Sequence, residues 1–192
     1  MEQTSVQKLA RVLRVMVIAV FVCNITVLFF VPGMALMRGL GELKELTSYE
    51  NPLELPLRLL IIFAMCWSPD YWACAEDPYA AVLTLFLLSC GICTAIILWQ
   101  GRRVLDTILK GNPFVLDNAK SLNRAAVCCF VISGAALVRT VWGLVYYQDI
   151  RPAFTYNALF VPIFLMAGLL CMVVSALFRQ AAELKAENDL TI

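Results

Sequence analysis

The chain has 192 residues and a formal net charge of +1, with 61% hydrophobic and 15% charged residues, and its mean hydropathy is +0.80. Soluble domains carry about a quarter charged residues, so this balance excludes an ordinary soluble fold and leaves little length for a second soluble domain. Histidine is absent, which excludes histidine acid–base catalysis, histidine-assisted nucleophiles and histidine metal ligands.

Crossing about 30 Å of hydrocarbon takes roughly 20 apolar residues, because a helix rises about 1.5 Å per residue. The first run that qualifies is 12–31. Lys8, Arg11 and Arg14 precede it, as in a signal peptide, but no small-x-small cleavage site precedes Pro32 and Gly33, so it reads as a retained helix. The segment 32–78 follows as a loop, with Arg38, Lys44 and Arg58 against Glu42, Glu45, Glu50, Glu54, Asp70, Glu76 and Asp77. Within it, Leu55 to Trp67 is apolar but bounded by Pro56 and by Ser68-Pro69. That stretch is too short to span and predicts an interfacial or re-entrant helix.

The second span is 79–99, introduced by Trp67, Tyr71, Trp72 and Tyr79, an aromatic belt of the kind that marks a membrane interface. Beyond it Arg102 to Lys110 continues as helix, with Leu105, Ile108 and Leu109 on one side and Gly111 placed to end it in a left-handed turn. Asn112 then caps a new helix with Pro113 at its first position, or Asp117 caps a slightly later start. The loop 100–124 is thus a basic helical hairpin carrying Arg102, Arg103, Lys110, Lys120 and Arg124. The third span is 125–147, ending at Tyr146 and Tyr147, and a short loop with Asp149 and Arg151 leads into the fourth, 155–178, and a tail, 179–192, with Arg179 and Lys185.

Lys and Arg of short loops stay on the cytoplasmic side. The N-terminus, the hairpin and the tail are therefore expected inside, and the acidic first loop and the short third loop outside. The expectation is an all-α polytopic protein of the bacterial cytoplasmic membrane, one domain over 1–192. It is a four-transmembrane-helix bundle with both termini cytoplasmic and a short interfacial or re-entrant helix in the first outer loop.

Few residues offer chemistry. There is no phosphate-binding loop, and all fourteen Asp and Glu fall in loops or tails on this assignment, which argues against an enzyme and against carboxylate-driven transport. No cofactor or metal site is expected. Arg139 is the one charge well inside a span, and it reads either as a snorkelling or structurally paired residue, with Asp149 the nearby acid, or as the anion or ligand site of an outward cavity. Six of the eight cysteines, namely 23, 90, 93, 128, 129 and 171, lie in apolar spans and read as small packing residues. Cys66 and Cys74 lie outside, where a disulfide can persist. Ala125, Cys129 and Ser133, and Ala167, Cys171 and Ser175, form small-residue stripes suited to close helix approach, within the chain or between copies in a homo-oligomer.

The turn Gly111-Asn112-Pro113-Phe114 with Asn118, Ala119 and Leu122, and the ending Glu187-Asn188-Asp189-Leu190-Thr191-Ile192, carry a resemblance. Through them the chain resembles a bacterial membrane-protein family catalogued as domain of unknown function twenty-nine seventy-five. The resemblance implies a four-helix membrane protein without an established activity, often encoded beside a small helix-turn-helix regulator. The expected function is a non-enzymatic membrane regulator or sensor, in contact with the bilayer and a small cytoplasmic DNA-binding partner, and with no direct nucleic-acid contact of its own. Its partner surface would be Arg102, Arg103, Lys110, Asn112, Phe114 and Lys120. The alternative is a small transporter, permease subunit or immunity-type protein holding an amphiphile between its helices. A lipid-directed enzyme would need a carboxylate pair such as Glu76 and Asp77.

Overall fold

The computed structural model describes residues 5–37 and 78–189. Within them lie four long helices, α1 (Ser5–Met37), α2 (Pro78–Leu109), α3 (Leu116–Tyr147) and α4 (Phe160–Asp189), and two 3-10 turns, Arg151–Phe154 and Tyr156–Leu159, between α3 and α4. All four helices are long and apolar enough to cross a membrane, and the chain is a multi-pass membrane protein of all-α class. The segment Leu55 to Trp67 and both Cys66 and Cys74 lie outside the described residues.

Each helix has 30 to 33 residues, or about 45–50 Å, so each overshoots a hydrocarbon core of about 30 Å and projects beyond it. The tail expected at 179–192 is helical as far as Asp189, and the start of the fourth span is displaced the other way: Thr155 to Leu159 lies in the 3-10 segment and regular helix begins at Phe160. Pro152 at the first turn of one 3-10 element and the extended backbone of Thr155 explain the delay, since proline fixes φ and donates no N–H.

Packing follows chain order: α1 lies on α2, α2 on α3, and α3 on α4 most extensively of all. The centre is α3, whose buried face runs Ala125, Ala126, Cys128, Cys129, Ile132, Ser133, Ala136 and Gly143. Lipid tails are as apolar as leucine, so helices gain little by hiding leucine from them. They associate where small residues let backbones approach and hydroxyls bond across. The stripes read from the sequence are used in this way. Ser133 Oγ donates to the Val161 carbonyl at 2.8 Å and Ser175 Oγ to the Ala119 carbonyl at 2.7 Å. Gly168 of α4 approaches Phe130 of α3 so closely that a Cβ there would lie 2.8 Å from the ring. By contrast α1 buries little besides Ala10 and Val31, near its two ends, and turns Val12, Met16, Val20 and Val27 outward.

The α2–α3 hairpin has a specific local cause. Gly111 adopts φ +75, its N–H donates to the Ile108 carbonyl at 3.0 Å, and the Asn112 N–H donates to the Thr107 carbonyl at 3.2 Å. This pair of bonds is the Schellman closure, satisfying carbonyls that the end of α2 would otherwise leave bare. The start of α3 differs from expectation, because neither Asn112 nor Asp117 caps it. Val115, extended at φ −127 and ψ 144, stands at the N-cap without a side-chain bond, and Asp117 lies inside the first turn, where its charge favours the helix dipole. Asn118 does the fastening. It is 2% exposed, and its Nδ2 donates to Thr107 Oγ1 at 2.6 Å and to the Pro113 carbonyl at 2.7 Å, tying the end of α2, the turn and α3 together.

Candidate functional site: a basic end and a cleft end

At the hairpin end, hereafter the basic end, α1 meets α2 through charge. Arg14 Nε lies 2.8 Å from Asp106 Oδ1, and Arg102 Nε lies 4.0 Å from Asp106 Oδ2. The Arg14 N–H does not point along its contact, so the attraction is coulombic rather than a directed hydrogen bond. The acid that receives Arg14 is one helix away and 92 residues later in the chain, beyond the reach of a hydropathy reading. Arg102 also lies over the Trp99 ring, 5.4 Å from its centroid, which sets it at the interface by a cation–π contact.

The six residues expected to form a partner surface divide into three groups, of which Arg102, held by Asp106 and Trp99, is the first. Asn112 accepts a bond from Lys185 Nζ at 2.7 Å, and the Phe114 ring sits 5.9 Å from that of Phe178. These two are engaged by α4, which brings its helical extension onto the hairpin. Arg103, Lys110 and Lys120 stay exposed, Lys120 with Asp117 at 3.7 Å, a solvated pair of small energetic weight. A shallow groove of about 420 Å³ lies between the hairpin and α4, lined by Asn112, Phe114, Asp117, Lys120, Ala182 and Lys185. Nearby, Arg179 donates to Glu183 at 2.8 Å, and that hydrogen bond and charge raise the guanidinium pKa above its ordinary value.

At the other end, α3 and the 3-10 segment enclose a cleft of about 370 Å³, lined by Arg139, Thr140, Gly143, Tyr147, Asp149, Arg151, Pro152, Thr155 and Asn157. Gly143 is buried because Pro152 packs on it; a Cβ at 143 would lie 3.3 Å from Pro152 Cβ. Gln148, at φ 48, turns the chain out of α3. Asp149 and Arg151 then pair with each other at 3.0 Å, Arg151 being 89% exposed.

Arg139 therefore lines a cleft and is not paired with Asp149, whose carboxylate is held by Arg151. Eight residues separate it from Tyr147, about 12 Å of helix, so it lies well below the end of α3. Its guanidinium carbon is 4.8 Å from the Phe86 ring centroid, and among the described residues it has no ion pair. An arginine at the centre of a span costs about 2.5–3.5 kcal/mol on insertion scales, and a desolvated cation–π contact returns up to about 2 kcal/mol. Among the described residues no ion pair offsets the remaining cost.

Sequence reasoning missed Asp106, Asn118 and Phe86 as partners, and Thr155 and Asn157 as cleft residues. The two polar residues at the start of the fourth span were a usable signal, since regular apolar helix seldom opens with them. Among the described residues no cluster of metal-ligating side chains occurs.

The family model described as "Protein of unknown function (DUF2975)" matches residues 41–192. No curated protein and no solved structure matches the chain.

Proposed function

The chain belongs to the DUF2975 family of proteins of unknown function, and on that premise we propose that it is a non-enzymatic sensor or regulator of the bacterial cytoplasmic membrane. In this reading the basic end faces the cytoplasm, as its excess of Lys and Arg favours, and the cleft opens on the opposite side. The occupant of the basic end would be a small helix-turn-helix regulator.

One observation carries the reading. Helices α3 and α4 run unbroken from the cleft to the hairpin, are fastened to each other along the way by Ser133 and Ser175, and α4 meets the hairpin turn through the Phe114–Phe178 contact. A change at the cleft that tilts α4 on α3 would thus reach Lys185, Asn112 and the exposed Arg103, Lys110 and Lys120. Packed helices shift as units because close-packed interfaces do not deform continuously.

Co-purification from detergent extracts tests it, comparing the native chain with one in which Arg103, Lys110 and Lys120 are all replaced by Gln. These side chains are exposed, so the fold is kept. Loss of a DNA-binding protein from the variant is the expected result, and equal recovery would sink the regulator assignment. The cleft itself favours a second reading, transport of or immunity to an amphiphile. That reading takes over if Arg139→Leu abolishes uptake or protection while the triple Gln variant is indifferent.

A further inference from the structure

The cleft has the makings of a ligand site of definite charge. Arginine presents five N–H donors in a planar fork that matches two oxygens of one acceptor group. The Arg139 guanidinium carbon lies over the Phe86 ring, 4.8 Å from its centroid, and a ring offers those donors no oxygen acceptor. Among the described residues no carboxylate pairs with it, and the nearest acid of the cleft, Asp149, is held by Arg151 at 3.0 Å. The lining therefore carries Arg139 and Arg151 against Asp149, a balance of one positive charge.

The neutral groups sharpen the picture. Thr140 Oγ1 gives its proton to the Ala136 carbonyl at 2.8 Å and Thr155 Oγ1 gives its own to the Pro152 carbonyl at 2.7 Å. Both hydroxyls are spent as donors, which leaves Arg139, Arg151 and the exposed Asn157 amide among the donors of the lining. The floor is backbone and ring, Gly143 against Pro152, and about 370 Å³ is at the small end of the range for small-molecule sites.

We propose that this cleft binds a small monoanion through a two-oxygen group, a carboxylate or a phosphodiester, on the Arg139 fork. One charge fits the balance of the lining, and a planar pair of oxygens fits the fork. A free carboxylate and a lipid headgroup share this chemistry. The proposal rests on the sensor reading only for the side from which the anion arrives.

The full-length chain in phosphatidylcholine nanodiscs, with thermal unfolding followed by circular dichroism, is titrated with hexanoate, and with hexanol as the uncharged analogue. The expected result is a saturable rise in the unfolding midpoint with hexanoate and none with hexanol. Arg139→Gln loses the response and Arg139→Lys, which keeps the charge and loses the fork, weakens it about tenfold. Arg151→Gln, which releases Asp149 and brings the lining to neutrality, weakens it as well. Nanodiscs containing phosphatidylglycerol divide the sources: a midpoint already raised and insensitive to hexanoate makes the occupant a lipid phosphodiester, and an unchanged titration makes it a free carboxylate. Equal response to hexanol, or an undiminished response in a folded Arg139→Gln chain, overturns the proposal. Because both membrane faces are open in a nanodisc, absence of binding refutes this site alone, whereas binding without any effect on regulator recovery refutes the sensor reading alone.

Discussion

The two ends of the molecule treat their polar groups in opposite ways. At the basic end Asn118 is buried with both amide bonds made, Lys185 reaches Asn112, and Arg14 lies against Asp106 as a charge pair without a directed hydrogen bond. At the cleft end the most deeply placed charge, Arg139, meets an aromatic ring and an open space. The first arrangement fixes a fold, because a buried polar group without a partner is expensive. The second leaves insertion cost in place, and a cost retained at an opening is where a ligand gains most by binding.

The contrast can be broken by substitution, and the variants rank by size. Asn118→Leu removes the ties to Thr107 and to the Pro113 carbonyl, which keeps only the Val115 N–H at 3.2 Å, so denaturant unfolding in nanodiscs should show a loss of about 2 kcal/mol. Gly168→Ala forces a methyl against the Phe130 ring and should cost about 1–3 kcal/mol. The matched control Gly134→Ala, with nothing within 4 Å, should be neutral or gain up to about 1 kcal/mol from helix propensity. If both glycines behave alike, close approach of α3 and α4 is not what holds them.

Arg139→Leu is the informative reversal. Removing the insertion cost of about 2.5–3.5 kcal/mol and forfeiting a cation–π contact of up to about 2 kcal/mol leaves a net stabilisation of about 1 kcal/mol. A loss of stability of that size in the same assay would place Arg139 among the structural residues and erase the contrast. Ser133→Ala and Ser175→Ala are the smallest, about 0.6 kcal/mol each, the average for a hydroxyl bond between membrane helices. Effects several times larger would mean that α3 and α4 are held by bonding more than by packing.

The spans were legible because hydrophobic run length is a property of sequence alone, and Gly111 was legible because its left-handed backbone suits glycine and little else. The small-residue stripes were legible for the same reason: a spacing of four sets Ala125, Cys129 and Ser133 on one face whatever the partner. What escaped depends on tertiary register. Asn112 and Asp117 are both good caps by residue type, yet Val115 holds the cap position, since the buried Asn118 fixes where α3 begins. The Arg14–Asp106 pair and the Phe86 cover on Arg139 join helices whose rotation no hydropathy value specifies. The peripheral place of α1 was equally hidden, because a run facing lipid and a run facing protein are both simply apolar.

In the proposed sensor the cleft end and the basic end are coupled through α3 and α4. Amide hydrogen exchange across 110–118, in nanodiscs with and without hexanoate, tests this most directly. Altered exchange at the hairpin in the native chain, with no alteration in Arg139→Gln, is the expected result. Hairpin exchange that stays constant while the anion binds at the cleft would contradict it.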